Sequence, residues 1–113
     1  MRRPQNPNRA KLLRGLIMKL LYFAEQSEPI NPDDPTLLSY DVLTLSLEHQ
    51  GSRPGDDELN ALMRYLEGKR YVDVQWLEDG SGRWDAVRVL PLGIDLVEQS
   101  VTDPGVTFSK RRA

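Results

Sequence analysis

The chain has 113 residues, no cysteine and one histidine, His49, which suits a single domain with a modest core and excludes a disulfide framework, a thiolate nucleophile and a cysteine-based zinc site. The formal net charge of −2 conceals a division: residues 1–19 hold six cations and no acid, residues 20–108 hold all 17 acids against six cations, and Lys110, Arg111 and Arg112 follow. Such a trunk repels a phosphate backbone at long range while the two ends attract it, although solvated basic ends also serve solubility alone.

Residues 1–8 carry two prolines and read as a basic arm. Asn8 is placed to cap a helix over residues 9–25, accepting from the first free backbone N–H groups. Leu13, Ile17, Leu20 and Ala24 recur at helical spacing, and Leu12, Leu16 and Phe23 widen that apolar face, as a helix packed on more than one side requires. Arg14 and Lys19 interrupt the stretch, which falls short of the ~20 apolar residues of a membrane span. The basic start imitates a secretion signal only faintly, without a small-residue cleavage site, so a cytoplasmic protein with no membrane partner is expected. Pro29, Pro32 and Pro35 then stand too close together for a helix, and residues 26–38 read as a loop wrapped across the surface.

Ser39 or Thr36 can cap a second helix over residues 40–50, with Val42, Leu43 and Leu47 inward and Gly51 as its stop. A third helix follows, with Leu59, Leu62, Met63 and Leu66 inward and Asp56, Asp57 and Glu58 complementing the positive end of its dipole. Next come two strands around a Gly-Ser-Gly turn. A four-residue loop over 79–82 sets Val74 against Val87 and Val72 against Val89, with Trp76 on their face and Leu77 opposite Trp84 on a wetter one. A five-residue loop pairs Trp76 with Trp84 but puts Val87 against Asp73, so the shorter loop is preferred. Pro91 opens a short last helix, and Asp103-Pro104-Gly105 turns the chain into a basic tail. The domain is expected over residues 9–106 and the tail over 107–113.

Catalytic chemistry is missing from this pattern. His49 lies at a helix end as a solvated or capping imidazole, no ligand spacing suits a metal, and no serine stands in a nucleophile elbow. The Gly80-Ser81-Gly82 turn runs into a strand rather than into the Lys and helix of a phosphate loop. No enzyme activity, metal or cofactor is expected.

The order helix, helix, helix, hairpin, short helix resembles a winged helix-turn-helix domain, an α+β fold with mainly helical content. The segments DELNALMRYLEGKRYVDV, VRVLPLGIDLVEQ and TDPGV further resemble small ArsR-like winged-helix proteins of Mu-like phages and prophages. That family ends a helix in Leu-Glu-x-x-Gly-Leu-Val, opens the next with Leu-Thr-x-x-Gly-x-Asp-Val-Ala and closes on Pro-Gly-Val. Here Arg70 stands where glycine is usual and Pro91 where threonine is. The resemblance covers the second half of the chain well and implies an element-borne protein without catalytic residues.

Two functions are expected of such a chain. One is binding of double-stranded DNA by a small regulator: Asn60 and Arg64, with Ala61, facing base edges, Arg83 and Arg88 on the wing, and Arg2 and Arg3 neutralising phosphates. Against it stands the acidic start of the third helix. The other is a protein-interaction or dimerisation module with Tyr65, Leu77 and Trp84 as its contact residues, or as simple cover for a small core. A homodimer through the first helix suits either.

Overall fold

The computed structural model describes residues 7–26 and 37–108. Seven elements follow one another: α1 (Pro7–Gln26), β1 (Leu37–Ser39), α2 (Tyr40–His49), α3 (Asp56–Gly68), β2 (Val72–Trp76), β3 (Trp84–Val89) and α4 (Pro91–Val97). The α+β class is as expected, with one addition. Leu37 and Leu38, assigned to a loop on the strength of the nearby prolines, pair antiparallel with β3, so the hairpin becomes a three-stranded sheet in the order β1-β3-β2. The physical reason is burial: Leu38 lies opposite Val87 and is enclosed in the core. The remainder of the proline-rich segment, the arm residues 1–6 with Arg2 and Arg3, and residues 109–113 lie outside the described residues.

Helix ends explain much of the local structure. α1 starts at Pro7, whose fixed φ and missing N–H suit a first turn, so Asn8 sits inside the helix rather than capping it. Ser39 caps α2 by accepting from the Val42 N–H at 3.2 Å. At the other end, Ser52 N–H bonds the Leu47 carbonyl and Gly51 N–H that of Glu48, the paired bonds of a Schellman stop with Gly51 at φ 72°. α3 and α4 end identically, but with Arg70 (φ 65°) and Gln99 (φ 63°) in the left-handed seat.

The hairpin combines both registers that its sequence allows. Val72 faces Val89 and Val74 faces Val87, as the four-residue loop requires. Leu77 N–H nevertheless bonds the Arg83 carbonyl, leaving a five-residue loop, and Trp76 pairs with Trp84. A bulge at Asp85 reconciles the two by inserting one unpaired residue between Ala86 and Trp84. Trp84 is thereby turned inward, 3% exposed, so it does not join Leu77 on the wetter face as expected, while Asp73, Gln75 and Leu77 do stay exposed there.

One core gathers Ile17, Met18 and Leu21 of α1, Leu43 and Leu47 of α2, Leu59, Met63 and Leu66 of α3, and Val72, Val87 and Val89 of the sheet. Two glycines allow backbones to meet inside it. A Cβ on Gly93 would fall 2.3 Å from the Tyr71 carbonyl oxygen, and one on Gly15 would fall 2.0 Å from that of Thr107. The second approach is sealed by a bond from Thr107 N–H to the Lys11 carbonyl. With Val106 buried and Phe108 packed against the core, the body continues past the boundary expected at residue 106.

Candidate functional site

The side of α3 nearest the hairpin is where helix and wing residues expected to meet DNA converge. Leu59, Leu62, Met63 and Leu66 face the core, which leaves Asp57, Ala61, Arg64 and Gly68 exposed and turns Asn60 and Glu67 towards the strands. The Asn60 amide donates to the Gly82 carbonyl at 3.1 Å and so holds the hairpin loop. Glu67 accepts from the Trp76 indole at 3.0 Å and from the Val74 N–H at 3.3 Å. The Arg64 guanidinium lies over the Trp76 ring, 4.2 Å from its centroid. Both side chains expected to read base edges therefore also fasten the hairpin to α3. Arg83 is exposed at the end of the hairpin loop, whereas Arg88 is half-buried and stands 4.0 Å from the Asp73 carboxylate on the neighbouring strand.

The acidic start of α3 has partners of its own. Asp56 accepts from the Tyr40 hydroxyl at 2.6 Å, tying the start of α3 to that of α2. Glu58 takes both forks of Arg9 at 3.0 and 3.1 Å, tying it to α1. These bonds add to the favourable placement of carboxylates at a helix N-terminus. Asp57 stays exposed. A duplex approaching the start of α3 meets three carboxylates, of which Glu58 already holds Arg9 and Asp56 holds Tyr40.

The three residues proposed as a contact patch do not form one. Trp84 is buried edge-on against Tyr40, with ring centroids 5.0 Å apart, and its indole N–H finds no acceptor among the described residues. Tyr65 is half-buried under the Arg14 guanidinium, 3.7 Å from the ring centroid. Leu77 alone is exposed, at 37%. Trp84 and Tyr65 are thus packing residues, because the Asp85 bulge and the returning C-terminal segment cover them.

Two further arrangements stand out: the first was not singled out from sequence, and the second was read there as a broad apolar face. The first is a polar clasp under the turn at 103–105. Asp103 accepts from the Tyr71 hydroxyl at 2.7 Å, the Gly105 N–H at 2.7 Å and, more distantly, the Tyr65 hydroxyl at 3.5 Å, while Arg14 donates to the Gly105 carbonyl at 3.0 Å. Burial, the largest single influence, would raise the Asp103 carboxyl; the Tyr71 and Gly105 bonds, with the Lys69 charge and the Tyr65 hydroxyl, together outweigh it and hold it below the ordinary carboxylate value. The same burial, helped by Asp103, pushes the Tyr71 hydroxyl up to about 12.

The second is the outer face of α1. Leu12 and Phe23 are 44% and 59% exposed, with half-buried Leu16 and Leu20 between them. The sequence did show this widened apolar sector, and the expectation was burial on more than one side. The described residues enclose Leu13, Ile17, Met18 and Leu21 and pack partly on Leu16 and Leu20, which leaves Leu12 and Phe23 the most exposed of this sector.

Among the described residues no three His, Asp or Glu side chains gather to hold a metal, and no helix is long and apolar enough to cross a membrane. Comparison with family models, curated proteins and solved structures yields no match.

Proposed function

We propose that this chain is a winged helix-turn-helix protein that works chiefly as a protein-interaction module, docking through α1. The order α1-β1-α2-α3-β2-β3-α4 and the sheet order β1-β3-β2 support the winged-helix reading, with α3 in the recognition position and the hairpin as wing. The observation that carries the function is the contrast between two helices. α3 uses Asn60 and Glu67 to hold the hairpin and opens on carboxylates, whereas α1 turns an apolar face, Leu12 to Phe23, to solvent. Folds of this kind host unrelated functions, so the site decides.

DNA binding is the second reading, favoured by the exposure of Arg64 and Arg83 on helix and wing. Equilibrium binding of the full chain to a mixed duplex library at two salt concentrations separates the readings. An interaction module binds weakly and without sequence preference, and Asn60→Ala or Arg64→Ala leaves that binding unchanged. A base-reading regulator selects a sequence, and each substitution costs about 1–3 kcal/mol on it. Sequence-selective binding lost in these variants would overturn the interaction reading.

A further inference from the structure

We propose that the cations at the C-terminal end of α3, Lys69 and Arg70 together with Arg14 of α1, form a docking surface for an acidic segment of a partner protein, separate from the apolar face of α1. Cations of two kinds stand out among the described residues. Arg9, Arg53 and Arg88 stand against Glu58, Glu48 and Asp73, at 3.0, 4.0 and 4.0 Å. Arg14, Arg64 and Lys69 rest on aromatic rings instead and form no such ion pair among these residues. The Tyr65 ring holds two of them: the Arg14 guanidinium lies 3.7 Å and the Lys69 ammonium 5.6 Å from its centroid. A ring orders a cation without cancelling its charge, so little freedom is lost when an anion arrives. Arg70 follows directly and is exposed. The acids beside this group are turned inward. Glu67 accepts from the Trp76 indole and the Val74 N–H. Asp103 accepts from the Tyr71 hydroxyl and the Gly105 N–H, and the Lys69 charge acts on it as well. Arg14 donates to a neutral group, the Gly105 carbonyl, and keeps its full charge.

The layout of α3 selects the class of partner. Its first turn is Asp56, Asp57 and Glu58, whereas Arg64, Lys69 and Arg70 lie towards and just beyond its end, with Glu67 as the acid among them. The two ends are roughly 20 Å apart. A DNA duplex is long and stiff, so one laid on the basic end carries its phosphates past the acidic start and meets repulsion there. A few acidic residues of a flexible chain meet the cations alone. Their carboxylates match the planar fork of an arginine such as Arg70, which takes both oxygens at once. The negative end of the α3 dipole, worth about half a charge, opposes an anion here, but Lys69 and Arg70 outweigh it. Gly68 is exposed, with open space where a Cβ would stand, and leaves the approach to these side chains clear.

Fluorescence anisotropy of a short labelled oligo-glutamate peptide, titrated with the full chain at low salt, tests the proposal. Saturable binding is expected, several-fold weaker for Lys69→Gln with Arg70→Gln and unchanged for Leu12→Glu with Phe23→Glu. The basic ends of the chain supply the rival site. Equal binding by the original chain and the Lys69→Gln, Arg70→Gln variant overturns the proposal, as does a loss that follows instead from neutralising Arg2, Arg3 and residues 110–112. Absence of saturable binding overturns it too. Loss in the Leu12→Glu, Phe23→Glu variant places the peptide on α1 and has the same force. A short DNA duplex that binds more tightly than the peptide, and weakens in the Lys69→Gln, Arg70→Gln variant, replaces the acidic partner with a nucleic acid. If circular dichroism shows that this double variant departs from the original fold, Arg70→Gln alone decides: a loss of about twofold is expected, and unchanged affinity overturns the proposal.

Discussion

Arg70 occupies a seat that suits glycine, because a side chain at φ 65° brings Cβ against the following carbonyl. Replacing it with glycine relieves that strain at an exposed position where the Schellman bonds already exist. Arg70→Gly is expected to raise stability by about 1 kcal/mol, read as a higher urea midpoint with unchanged slope. The clasp around Asp103 makes a second prediction. Its carboxyl is depressed in the folded chain, so its contribution is present above the ordinary carboxylate value and is lost as pH falls through and below it. Tyr71 is raised to about 12, so its contribution is present below the ordinary tyrosine value near 10 and is lost as pH climbs towards 12. Tyr71→Phe should therefore flatten the alkaline limb of stability against pH and reduce the acid one, measured by denaturation at each pH. The seats of Gly93 and Gly105 were legible as motif positions, but not their cause. Gly93 admits the Tyr71 carbonyl, a contact between segments 22 residues apart that no local pattern encodes.

The helices were legible because their signals are local: Ser39 caps, Gly51 stops, and the apolar positions of α3 recur at helical spacing. β1 was not, since three residues beside a proline-rich run carry no period and gain their structure only by pairing with β3. If that pairing belongs to the core, Leu38→Ala should cost about 2–5 kcal/mol, seen in denaturant unfolding; a loss below about 0.5 kcal/mol would mark β1 as peripheral. The hairpin was half legible. Alternation fixed the valine pairs, but loop length and bulge trade one residue against the other, and only burial of Trp84 decides between them. Of the candidate site, residue identity was readable and availability was not. Asn60 and Arg64 have the chemistry to read bases, yet whether they face a groove or the hairpin depends on how α3 meets β2 and β3. The helix–hairpin fastening is itself testable: Glu67→Ala strips the acceptor from a half-buried indole and from the Val74 N–H, at about 1–3 kcal/mol.

At the scale of the molecule, the partition of charge was plain in the sequence, and the fold puts it to a use that composition does not reveal. Arg9 is drawn to Glu58 and Arg14 to the Gly105 carbonyl, so part of the basic N-terminal segment neutralises the acidic trunk from within. Binding to a mixed duplex should accordingly depend on the outermost cations, and removing Arg2, Arg3 and residues 110–112 should flatten the salt slope of any such binding. The return of residues 106–108 onto α1 has a consequence for kinetics. Arg14 and Gly105 are 91 positions apart, so nearly the entire polypeptide must be closed into a ring before this contact can reward the closure. It should be among the last to form in refolding and among the first to let go. The amide of Thr107, held by Lys11 at 3.0 Å, would then exchange its hydrogen for deuterium well ahead of the strand amides, as the clock of that latch.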